Sequence, residues 1–159
     1  MAGRITNAEA QLKPDPKYGD KVLARFINCI MRDGKKTVAQ RIVYTALDEI
    51  EQRTEGNPSA IEVFHKAIEN VRPDVEVRSK RVGGANYQVP MQVNRKRQQS
   101  LAFRWIIQSA RGEKGKPMAL RLARELYDAS HNEGRAVQTR DQTHRMADAN
   151  KAFAHFAWR

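Results

Sequence analysis

Apolar residues recur every three or four positions along most of this chain, and that spacing predicts helices. Val22, Leu23, Phe26, Ile27, Ile30 and Met31 form one stripe over residues 20–32, with Lys21, Arg25, Asn28 and Arg32 on the opposite side. One face enters a core and the other is basic. Asp20 is the expected N-cap, and the glycine of "DGK" at 33–35 ends the segment. A second helix, from about Lys36 to Arg53, carries Ala39, Ile42, Val43, Ala46, Leu47 and Ile50. In "NPSAIEVFHKAIENVRP" Asn57 reads as the cap and Pro58 as the first helical residue of a third, which stops before Pro73.

Alternation replaces the helical period after Pro73, with Val75 and Val77 on one run and Tyr87, Val89, Met91 and Val93 on the next. The two runs predict a hairpin. A two-residue Gly83-Gly84 loop would set Val75 and Val77 on the face opposite Val89 and Met91, whereas a three-residue loop, Val82–Gly84, puts the four together. The odd loop is therefore expected, with Arg78 and Lys80 sharing the other face with Gln88 and Pro90. So short a ribbon is marginal alone and is expected to project.

Helical spacing resumes near Arg95, with Leu101, Ala102, Trp105 and Ile106 inward and Arg97, Arg104, Gln108 and Arg111 along one outer line. Pro117 opens a fifth helix through Met118, Leu122 and Leu126 to about Ser130, with Arg121 and Arg124 facing out. "TRDQ" at 139–142 has capping-box spacing and opens a sixth, running through Met146, Ala149 and Phe153 toward Trp158. The expected fold is mostly α: a single domain, 1–159, of six helices. It has an N-terminal arm, 1–17, and a two-stranded antiparallel β-hairpin extension, 74–93, between helices three and four.

Charge changes this picture more than size does. The 159 residues carry a formal charge of +11 with 40% hydrophobic residues, which suits a folded polycation rather than a disordered one. Residues 21–46 and 72–97 are each net +5 and residues 98–127 net +4, whereas 47–71 are net −4 and 1–20 net zero. Separate basic clusters on a folded chain point to a polyanion, because phosphates they neutralise release condensed counterions. Lys21, Arg25 and Arg32 on the first helix and Arg104 and Arg111 on the fourth are candidate RNA contacts. Gly83 and Gly84 form a side-chain-free tip that lets another backbone approach closely.

Other chemistry finds little support. "DGKKT" lacks the glycine that a phosphate-binding loop places five residues before its Gly-Lys, which argues against nucleotide hydrolysis. The four histidines lack metal-ligand spacing, so neither a catalytic site nor a metal or other cofactor is expected. Cys29, the single cysteine, reads as a small core thiol, and with no partner for a disulfide it fits the cytoplasm. Trp105 and Phe153 read as core, while Tyr87 and Trp158 divide evenly between packing and base stacking. No apolar run is long enough for a membrane span. A nonspecific double-stranded DNA-binding helical protein and an RNA-processing enzyme are the rival readings; the second lacks a catalytic constellation.

"DKVLARFINCIMRDGKKTVAQRIVYTA", residues 20–46, resembles the signature of small-subunit ribosomal protein seven of the bacterial type, and "RVGGANYQVP", "SLAFRWII", "MALRLARELYDA" and "HRMADANKAFAHFAW" are similar to its later blocks in order. The resemblance implies a non-enzymatic protein that binds the 3′ domain of small-subunit ribosomal RNA and starts assembly of the head. It also implies a place beside small-subunit protein eleven, with the hairpin and C-terminal helix near messenger RNA and exit-site transfer RNA, and in bacterial members repression of their own messenger. Carried onto this chain, it makes Lys35, Lys36, Arg78, Lys80, Arg81, Arg95, Lys96 and Arg97 RNA contacts, and sets Tyr87, Arg145, Lys151 and Trp158 near the partner or transfer and messenger RNA. Members often begin with an arm richer in Arg and Lys; the net-neutral residues 1–20 leave arm contacts open.

Overall fold

The computed structural model describes residues 8–157. A short α1, Ala8–Gln11, precedes α2, Lys21–Ile30, α3, Lys36–Thr54, and α4, Ala60–Val71. Strands β1, Val75–Val82, and β2, Ala85–Gln92, follow, then α5, Arg95–Gly112, α6, Met118–Ser130, α7, Arg135–Ala149, and a 3₁₀ helix, Lys151–Phe156. The six predicted helices are α2 to α7, and the ribbon lies between the third and fourth of them.

The predicted stripes supply most of the core, joined by Phe103 and Ile107 of α5, which the expected inward set left out, while Trp105 is only half-buried. Phe26 of α2 meets Phe64 of α4 and Phe103 of α5 edge-on, each pair with centroids 5.2 Å apart. Val43, Leu47 and Ile50 of α3 and Leu122 and Leu126 of α6 complete the same cluster. Helix α6 is the hub, packing on α3, α4 and α5. Asp20 caps α2 as expected, accepting from the Leu23 N–H at 2.8 Å. The helix ends at Ile30, and Asp33 and Gly34, both at positive φ, turn the chain into α3.

Two helix starts differ from expectation. Helix α4 begins at Ala60, not Pro58: Ser59 accepts from the Glu62 N–H while Glu62 accepts from the Ser59 N–H, and this reciprocal pair outcompetes Asn57. Helix α7 begins at Arg135, four residues before "TRDQ", because its first turn is capped from outside. Glu125 of α6, only 5% exposed, accepts the Ala136 N–H at 2.7 Å. The last helix also stops at Ala149. Phe153 lies in the 3₁₀ helix and packs on Tyr87 and Phe156 rather than in the main core.

The ribbon takes the even register. Val75 pairs with Gln92 and Val82 with Ala85, leaving Gly83 and Gly84 as a two-residue turn at φ 57° and 86°. Positive φ at both central residues suits the mirror-image turn whose twist matches paired strands, and two glycines adopt it without strain. Consequently Glu76, Arg78 and Lys80 share a face with Met91, Val89 and Tyr87, contrary to the valine matching. Glu76 is buried beside Val89, which is tolerable because its carboxylate accepts from Arg78 Nε at 2.8 Å and from Arg97 Nη2 at 3.1 Å. An ionic trio holds the place expected for apolar matching.

Candidate nucleic-acid interface

Helices α2 and α5 lie side by side, and the basic faces predicted for each meet across a groove of about 420 Å³ lined by Arg25, Arg104 and Arg111 over a floor of Phe103 and Ile107. Cys29 stands in the same wall and is exposed, which corrects its reading as a core thiol: it sits one turn beyond Arg25, off the stripe of Ile27 and Ile30. At one end Lys21 and Arg25 border a shallow depression with Glu9 and Gln99. At the other, Arg111 is shared with a second cavity whose rim holds Arg32 and Lys35. Most candidates on α2, α5 and the 31–35 turn thus form one surface. Lys36, beside it, donates to Asn28 Oδ1.

Several of these cations are already engaged. Arg111 Nη2 donates to the Ile30 carbonyl at 3.0 Å, closing the end of α2, and burial together with the Arg32 charge holds its guanidinium below its usual basicity. Glu9 of α1 accepts from Lys96 at 2.8 Å and Arg25 at 3.2 Å; chiefly Lys96 holds its carboxyl below the usual range. Arg97 and Arg78 serve Glu76. Arg95 and Arg104 are exposed and make no ion pair among the described residues. Arg121, expected to face out, instead donates to the carbonyls of Arg111 and Glu113 at the end of α5.

The ribbon and C-terminal segment form a second assembly. Tyr87 packs at 5.2 Å from Phe153 and 5.1 Å from Phe156, and Lys80 Nζ donates to the Phe156 carbonyl at 2.7 Å. Tyr87 is therefore a packing residue here. Arg81, Gly83 and Gly84 are exposed at the tip, where nothing lies within 4 Å of a Cβ built on either glycine. Arg145 and Lys151 are exposed on α7 and the 3₁₀ helix, and Trp158 lies outside the described residues.

The histidines do structural work: the Asp74 N–H donates to His144 Nε2 at 3.2 Å, His65 meets Asp20, and His131 packs on Tyr127. No group of three His, Cys, Asp or Glu residues among those described is placed to hold a metal ion. Nor is any described helix long and apolar enough to cross a membrane.

Residues 2–151 match the family described as ribosomal protein S7p/S5e. The chain belongs to this family. The Rhodopirellula baltica protein named small ribosomal subunit protein uS7 is 61% identical over 156 residues, covering 98% of this chain and 99% of that one. Proteins of the same name from Chelativorans sp. and Methylobacterium radiotolerans are each 53% identical over 158 residues, 99% of this chain and all of theirs. As an S7p/S5e member the chain is a structural protein of the small ribosomal subunit, not an enzyme.

Residues that sequence reasoning missed on this S7p/S5e surface are Glu9, Glu76 and the loop lysines Lys114 and Lys116. Both lysines are exposed in the turn that follows Arg111. "GEKGKP" carried that signal, but nothing in the sequence pairs Glu9 with residues 16 and 87 positions away.

Proposed function

We propose that the chain binds small-subunit ribosomal RNA through the groove between α2 and α5, the 31–35 turn and the ribbon tip. The convergence of Arg25, Arg104 and Arg111 from two helices on one groove, with Arg32 and Lys35 at its end, carries this reading. Phosphates on such a surface fix orientation, and shape supplies selectivity, as structured RNA requires. Family membership supports the finer proposals: the 3′ domain as target, initiation of head assembly, and a bacterial, cytoplasmic ribosome as location. It also supports ribbon and C-terminal segment near exit-site transfer RNA and messenger RNA, contact with small-subunit protein eleven, and repression of its own messenger. Chemical footprinting of a 3′-domain transcript with and without the protein tests the reading. Protection confined to a few sites is expected; affinity for random duplex DNA equal to that for the transcript at moderate salt would sink it.

A further inference from the structure

The second cavity differs in character from the groove. It measures about 310 Å³, the lower end of small-ligand pockets, and Met31, Val38, Ile42 and Met118 line it. Val38 is 45% exposed, at the flank of the packed face of α3 beside half-buried Ile42. Around the mouth stand Arg32, Lys35, Arg111 and Arg121 with Asp33 the one acid, and neither Arg32 nor Lys35 makes an ion pair among the described residues. Arg121 Nε is a buried donor without a hydrogen-bond partner. An apolar side chain from a protein would fill the floor but leave this ring of cations unneutralised. One unpaired nucleotide satisfies both, with an apolar ring plane below and phosphates above.

We propose that this cavity receives a single unstacked nucleobase from an unpaired RNA segment, its flanking phosphates held by Arg32, Lys35 and Arg111. The proposal rests on the RNA-binding reading above and adds a base pocket to it. Arg111 lines both the groove and the cavity, so a strand following the groove between α2 and α5 arrives at the pocket with its backbone already on the arginines. Methionine walls adapt to a planar ring of either size, so the pocket accepts a base by shape and hydrophobicity rather than by edge reading. An already unpaired base enters at least cost.

The test uses the full chain and a 3′-domain transcript carrying scattered 4-thiouridine. Irradiation of this transcript bound to the chain without substitutions is expected to yield cross-linked peptides containing Met31, Val38 or Met118. Val38→Asn, which removes apolar wall without changing charge, is expected to weaken transcript binding about ten-fold through lost apolar burial while leaving both the salt slope and the melting temperature unchanged. Arg104→Gln, outside the pocket, should lower the slope by roughly 0.7–0.9. Full affinity in V38N, or cross-links confined to the groove, overturns the base pocket and leaves the RNA reading standing. If V38N instead weakens binding of another small-subunit protein, the occupant is a protein side chain and the proposal falls. An unsubstituted chain that does not prefer the transcript to random duplex RNA overturns the underlying reading itself.

Discussion

Glu125 shows how one side chain decides where a helix begins. Buried on α6 with no ion pair among the described residues, it accepts the Ala136 N–H at the start of α7, and burial raises its carboxyl above the usual 4.5. A raised folded pKa means that the protonated form is favoured in the fold, so this group's contribution is full below about 4.5 and is lost as pH rises through the folded value. Glu125→Gln keeps the acceptor and removes the charge. It is expected to gain stability over the parent as pH rises toward neutrality, the difference vanishing in acid. Glu125→Ala, which orphans the N–H, should cost about 1–3 kcal/mol in urea unfolding at neutral pH. Sequence patterning could not reveal this cap, because it reaches across from a neighbouring helix.

At the scale of elements, helix bodies are legible in the sequence, as are the Asp20 cap and the 33–35 turn, whereas the starts of α4 and α7 and the ribbon turn are not. The stripes of α2 to α6 supply most of the core, since burial and periodicity express one constraint, although in α5 Phe103 and Ile107 are buried while Trp105 is only half-buried. Ribbon register is not legible from the valines, because the Gly-Gly turn overrides their matching and a buried ion pair has no hydrophobic signature. The ribbon is fastened to the C-terminal segment by Tyr87, Phe153 and Phe156. Tyr87→Ala is expected to speed amide exchange in both the strands and residues 151–156 while sparing α3 and α6. Similarly, α1 screens part of the proposed RNA face, since Glu9 pairs with Arg25 and Lys96. Glu9→Gln should release Lys96 and Arg25, tightening binding to ribosomal RNA and steepening its salt dependence, measurable by a filter-binding salt series.

For the whole molecule, charge segregation read from the sequence places the acids of residues 47–71 on the later turns of α3, on its C-cap Glu55 and on α4, and the strongest basic grouping on α2 and α5. What the sequence hid is how many cations the fold already uses. Treated as free, Arg95, Lys96 and Arg97 together would change the salt slope by up to about three units. Arg97 is committed to Glu76, and losing it would leave a buried carboxylate with Arg78 as its one cationic partner among the described residues. The double variant Arg95→Gln/Lys96→Gln is therefore the informative one, and a slope reduced by about one to two units with unchanged melting is expected. The fold also provides its own reporter. The sole thiol of the chain opens onto the arginine groove, so a maleimide fluorophore placed at Cys29 would stand in the path proposed for an incoming strand. Its emission would time the encounter in a stopped-flow mixer, with no engineered attachment point needed.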